Sequence, residues 1–245
     1  MAKGDPAPAF YAASSGGWRD WWTLLHPPYT LWNLSYVAMG AAIAPRFSLW
    51  RLGEVLAAFF LGLGISAHAL DELNGRPLRT QISDRALITA AIGGLIGAVA
   101  LGIKGLTEVG WRLLPFIVVG AVAVPAYNLE WFGGRVHTNV AFAASWGAFP
   151  VLVAYFFEAR RLDPGVVLVA AAAFGLSLAQ RVLSTETRLL RRGVRRAHMK
   201  LELADGKVRE VDRSALLLPF DSALRTMSWA MVALAAGLVL IRVAG

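Results

Sequence analysis

The sequence contains no cysteine. That excludes disulfides, thiolate nucleophiles and cysteine-based zinc sites. Its four histidines are scattered, which leaves little from which to build a metal cage. Charge is scarce as well: Asp, Glu, Lys and Arg make up only 16% of the 245 residues, too few to clothe a water-facing surface of normal size. Acid is the scarcer sign, with 16 carboxylates against 24 Lys and Arg and a net charge of +8. The first 16 residues lack an apolar stretch, so no cleavable signal peptide is expected.

Apolar material fills the space that charge leaves. The chain is 57% hydrophobic, with a mean hydropathy of +0.54. A soluble domain is about 45–50% apolar. The excess falls in blocks of roughly 18–22 residues, the thickness of a bilayer core. The expected fold is therefore all-α and membrane-embedded: a polytopic bundle of about seven transmembrane helices. Residues 17–245 form its single domain, behind a loose tail over residues 1–16. The expected spans are Tyr29 to Ala44, Leu52 to Leu73, Ala86 to Ile103, Trp111 to Asn128, Val136 to Phe157, Asp163 to Val182 and Thr226 to Val243. Trp18, Trp21 and Trp22 mark a short interfacial helix before them, ended by His26-Pro27-Pro28.

In a soluble protein the basic balance would suggest nucleic acid. Here arginines flank membrane spans, and no nucleic-acid partner is expected. Arg76, Arg79 and Arg85 follow span two, Arg135 follows span four, and nine Lys and Arg residues from Arg188 to Arg213 follow span six. The opposite loops hold only Arg46, Arg51, Lys104, Arg112, Arg160 and Arg161. The asymmetry predicts a cytoplasmic amino terminus and, with an odd number of spans, an external carboxyl terminus. A helix extension and a β-hairpin are expected at the cytoplasmic surface over about residues 185–218. Lys200 to Asp212 alternates apolar and polar residues around Asp205-Gly206, the pattern of two strands and a tight turn. Leu216 to Arg225 is expected to re-enter the interface.

Polar residues gather where spans end on the arginine side. His68, Asp71 and Glu72 close span two at i, i+3 and i+4 and share a helix face. Arg76 and Arg79 follow. Acids can hold a divalent cation while arginines take phosphate oxygens in bidentate pairs. The plainer alternative is that the acids pair with Arg76 and cap the span. Tyr127 and Asn128 close span four; Tyr127 reads either as an aromatic-belt residue with Trp131 or as the donor to a phosphate or substrate at a cavity mouth. Arg181 and Arg188 are seven apart on span six, on one face, and either meet an anionic headgroup or anchor the helix at anionic lipid. Asn33 in span one reads as a packing residue or a ligand contact. His26 reads as interfacial, His137 and His198 have no metal-like partners, and Asp221 and Arg225 read as a local i, i+4 pair.

Three stretches, in order, carry a resemblance: TLLHPPYTLWNLSYVAMGAAIAP, HALDELNGRPLRTQIS and AYNLEWFGGRVHTNVAFAASWGAFP. The first is similar to the opening helix of the UbiA superfamily of intramembrane prenyltransferases. The second resembles a shortened form of that family's first acidic motif, and the third its tyrosine, glycine-containing turn and later proline. The resemblance covers about Thr23 to Arg192. It implies a UbiA-like bundle around a cavity that ionises an isoprenyl diphosphate, with membrane lipids as surroundings. It further implies magnesium on Asp71 and Glu72, and Asp71, Glu72 and Tyr127 as catalytic residues. Asn33, His68, Arg76, Arg79, Asn128, Arg181 and Arg188 would bind the substrate. The sequence departs from the family where its later aspartates should stand: the stretch Gln180 to Arg188 offers only Glu186. A non-catalytic lipid-binding or lipid-transporting protein on the same bundle is the alternative.

Overall fold

The computed structural model describes residues 7–245 and is mostly helical. A short helix α1 (Trp18–Leu24) leads into α2 (Pro27–Ala42). Six longer helices follow: α3 (Leu49–Leu73), α4 (Asp84–Val109), α5 (Trp111–Asn128), α6 (Asn139–Ala159), α7 (Pro164–Gly193) and α8 (Arg213–Ala244). All six are long and apolar enough to cross a membrane, the architecture of a multi-pass membrane protein. Their outward faces carry stripes such as Ile88, Ile92 and Ile96 on α4, exposed at helical spacing. Such stripes suit lipid and not water.

The first expected span falls on α2, which has 16 residues. That is about 24 Å of helix, against the roughly 30 Å of a bilayer core. Apolarity is not what places it, for α2 is the axis of the bundle. Its Trp32, Tyr36 and Met39 form one core with Val151 and Tyr155 of α6, Ala170 and Ala173 of α7, and Met231 and Ala235 of α8. Two of its polar atoms are satisfied inside that core: Trp32 donates to the Tyr36 hydroxyl at 2.7 Å, and Ser177 of α7 donates to it at 3.2 Å. Close approach of α2 to α6 needs Gly40, since a Cβ there would lie 2.3 Å from the Val151 carbonyl oxygen. Small residues at such contacts let membrane helices pack backbone to backbone.

Three helices contain π-turns, Phe60–Ala67 in α3, Ala143–Ala148 in α6 and Leu189–Gly193 in α7. All three lie within about two turns of the same end of the bundle. The opposite end is tied by ions: Arg51 pairs with Glu108, and Lys104 bridges Glu108 and Glu54.

The hairpin forms from β1 (His198–Glu202) and β2 (Val208–Asp212), antiparallel, with Lys200 opposite Glu210. Gly206 takes the positive φ of 79° that its turn requires. After it residues Arg213 to Ala244 run as one helix, straight through Pro219, so Leu216 to Arg225 is not a separate segment. The Asp221–Arg225 pair does not form. Asp221 pairs with Arg191 of α7, and Arg225 lies over the Phe10 ring. Of the expected loose tail, residues 1–6 lie outside the described residues. Residues 7–13 are irregular in backbone but packed: Arg191 and Arg192 donate to the Ala7 and Pro8 carbonyls, and the Ala13 amide donates to Thr23 Oγ1.

Candidate functional site

The carboxyl ends of α3, α5 and α7 and the amino ends of α2 and α6 converge around a cavity of about 310 Å³. Asn33, His68, Asp71, Tyr127, Asn128, Arg181 and Arg188, all expected as site residues, line it. So do His26, His137, Gln180 and Arg192, which the sequence did not single out as ligand contacts. Three arginines face a single lining carboxylate, Asp71, leaving an excess of two positive charges.

Arg181 is held from two sides. Its Nη2 lies 3.0 Å from His137 Nε2, and its guanidinium sits 5.3 Å above the Phe142 ring. Because arginine only donates, His137 Nε2 accepts, and its Nδ1–H donates to the Tyr127 carbonyl at 3.0 Å. The His137 ring stacks on Tyr127 at 4.3 Å. Arg188 donates to Thr185 Oγ1 at 3.0 Å. Asn128 is partly engaged, its amide donating to the Val124 carbonyl at 2.7 Å.

On the facing wall, His26 and His68 are stacked at 4.4 Å. His68 Nδ1–H donates to the Gly64 carbonyl at 3.0 Å, so in the neutral ring Nε2 keeps its lone pair. Gly64 lies within the π-turn, where the usual backbone pairing is shifted. Tyr11 meets His26 Nδ1 at 2.5 Å. Burial is the main cause that holds His26 well below the usual histidine range, with His68 and the nearby arginines adding to it, and burial raises the Tyr11 hydroxyl well above its own. His26, half-buried, is thus held between Tyr11 and His68. Five lining side chains carry buried polar atoms without a hydrogen-bond partner among the described residues: His26 Nε2, Asn33 Oδ1, Tyr127 Oη, Gln180 Oε1 and Arg181 Nε. Unpaired polar atoms in a dry site are costly unless a ligand or water meets them.

Several expected site residues stand elsewhere. Glu72 is fully buried and turned away from the cavity. Its Oε1 accepts from the Thr80 amide and hydroxyl, both at 2.9 Å, and its Oε2 accepts from the Leu78 amide at 2.9 Å. Adjacent helix residues diverge by about 100°, so Asp71 and Glu72 point to different neighbours. Arg76 pairs with Asp84 and donates to the Ile82 carbonyl at 2.6 Å. It secures the α3–α4 loop. Neither Arg76 nor Arg79 lines the cavity. Asp20 of α1 accepts from the Gln81 amide at 3.0 Å and fixes the same loop.

The magnesium expected on Asp71 and Glu72 does not fit this donor set. Glu72 has spent its oxygens on the loop, Asp71 is alone among guanidinium groups, and no group of three or more metal-ligating side chains occurs among the described residues.

A second hollow, an apolar crevice of about 130 Å³, runs between α3, α4, α5 and α6, lined by Phe59, Leu63, Val99, Phe116, Val124 and Phe149. Trp146 lines both it and the polar cavity. Compared with known proteins, the chain has no match to any family model, curated protein or solved structure.

Proposed function

We propose that this chain binds a long-chain isoprenyl phosphate or diphosphate and acts on it as a UbiA-like, prenyltransferase-type membrane enzyme. The headgroup lies among Arg181, Arg188 and Asp71, and the chain passes Trp146 into the apolar crevice. One observation carries this reading: the same indole walls a cationic cavity on one side and an oily crevice on the other. A molecule with an anionic head and an apolar tail matches both. The order of motifs from Thr23 to Arg192 supports the class of chemistry.

The step is heterolysis of the allylic C–O bond. Its electron pair leaves on the diphosphate, and the guanidinium groups stabilise the departing charge. The allylic cation then forms at the junction of head and tail. There Tyr127 and Trp146, with ring centroids 5.4 Å apart, offer aromatic faces to positive charge. Capture by a nucleophile or by the chain's own double bond, followed by loss of a proton to the released diphosphate or to water, completes a transfer or a cyclisation. Arginines take the role that the family resemblance gives to magnesium, and no step here runs through a metal.

The test uses the whole protein in detergent or nanodiscs with radiolabelled geranylgeranyl diphosphate. Inorganic diphosphate should be released, with and without EDTA, and the double variant Arg181→Gln, Arg188→Gln should lose release. Dependence on added magnesium would restore the two-acid metal site. A second reading, a lipid-binding or lipid-carrying protein without turnover, is favoured by the solitary Asp71. Co-purified polyprenyl lipid, identified by mass spectrometry and never converted, would establish it.

A further inference from the structure

Arg192 stands at the rim between the cavity and residues 7–13. It lines the cavity, yet its Nε and Nη2 donate to the Pro8 carbonyl at 3.4 and 3.3 Å. These are long bonds from a full positive charge to a neutral acceptor. A charge-assisted pair with a phosphate oxygen is about 2.7–2.9 Å and roughly twice as strong. Arg191 differs: it pairs with Asp221 and donates only secondarily to the Ala7 carbonyl. Pro8, Ala9, Phe10 and Tyr11 form the roof of the cavity. The roof is pegged by two rings, Tyr11 on His26 and Phe10 beneath Arg225 at 4.9 Å. Apart from Tyr11's bond and that of the Ala13 amide to Thr23 Oγ1, every tie is a backbone carbonyl or an aromatic contact, the kind that a competing anion or a small movement can exchange.

We infer that residues 7–13 are a displaceable strap and that Arg192 is an anion-binding residue of the cavity which the strap holds in reserve. In the free protein the Pro8 carbonyl stands in for an anionic oxygen. A phosphate- or diphosphate-type anion takes Arg192 from Pro8, the strap releases, and the cavity gains a third arginine for the headgroup. Entry of ligand and opening of the roof are then one event, coupled through a single guanidinium. The inference rests on the proposed anionic headgroup, but the hold of Arg192 on the strap does not.

The absence of cysteine makes the test direct. Ala9→Cys places one thiol on the strap, and its alkylation by a maleimide reports release. Two probes separate the source of the anion: inorganic diphosphate alone, and geranylgeranyl diphosphate. Either should speed alkylation by about fivefold or more. Adding Arg192→Gln should raise the rate without any anion and remove the response to anion. Adding Tyr11→Phe, which touches no charge, should raise the resting rate and keep the response. A calorimetrically measured anion that leaves the rate unchanged overturns the inference, as does an Arg192→Gln rate equal to that of the parent. If neither anion binds, the headgroup reading and the exchange both fall. The Arg192→Gln rate without anion then still decides whether that residue holds the strap.

Discussion

His137 turns one nitrogen to Arg181 and the other to the Tyr127 carbonyl, so that a neutral ring fixes the direction of a charged one. Arg181 is therefore aimed before any ligand arrives, and part of the entropy of ordering it is already spent. We expect His137→Ala to weaken binding of geranylgeranyl diphosphate by about tenfold, the scale of one charged hydrogen bond. Thermal stability should change little. Titration of the purified variant checks this, and unaltered affinity would show that Arg181 needs no support.

Asp71 and Glu72 are neighbours with opposite tasks, and their variants should separate cleanly. Glu72→Ala strips the acceptor from two buried amides, at about 1–3 kcal/mol each. A drop in melting temperature on the order of 10 °C is expected. Asp71→Asn should melt like the parent and bind inorganic diphosphate more tightly, because it removes the negative charge from a cationic cavity. A normal melt for Glu72→Ala would mean that the loop is held by something else.

His26 makes stability depend on pH in one direction. Its folded value lies well below the 6.5 of a free imidazole. Above that pH both states are neutral and nothing is lost. As pH falls below about 6.5, the unfolded chain takes up a proton that the folded one refuses. Each further unit costs up to about 1.4 kcal/mol until the folded value is reached. Melting temperature should fall between pH 7.5 and 5.5. His26→Asn, which tolerates the φ of 45° at this position, should flatten the slope. A parallel slope in that variant would move the effect to another group.

Gly40→Ala tests the axis of the bundle. The added methyl meets a backbone oxygen, which cannot swing aside as a side chain would. A loss of at least about 3 kcal/mol is expected, at or beyond the upper end for overpacking. Gly237 of α8 has open space around it, so Gly237→Ala is the matched control. Equal melts for the two would contradict the close α2–α6 contact.

Much of this architecture is legible along the chain. Apolar blocks locate the six long helices, and the alternation around Asp205-Gly206 locates the hairpin, because both follow from local periodicity. The meeting of Asn33, His68, Asp71, Tyr127, Asn128, Arg181 and Arg188 follows from helices that end at one level. What local pattern does not carry is direction and partnership. Nothing in the order of Asp71 and Glu72 says which one faces the α3–α4 loop. Arg192 meets Pro8 from 184 positions away, and His137 meets Arg181 from 44. Nothing in the two prolines beside His26 says that Tyr11 packs on it. The apolarity of α2 has a further cause: every residue of it but Leu31 is at least partly covered by protein.

That enclosure bears on how the molecule is made. Helix α2, whose Trp32, Tyr36 and Val37 have no exposure in the finished protein, leaves the ribosome before the helices that enclose it. Of its side chains only Leu31 is exposed, a narrow face to offer lipid. Its walls, α6, α7 and α8, are synthesised after it, so α2 must wait, sheltered by the insertion machinery or lying at the membrane surface, until they arrive. Nascent chains halted before α6 should leave this segment extractable, and completion of α8 should lock it in.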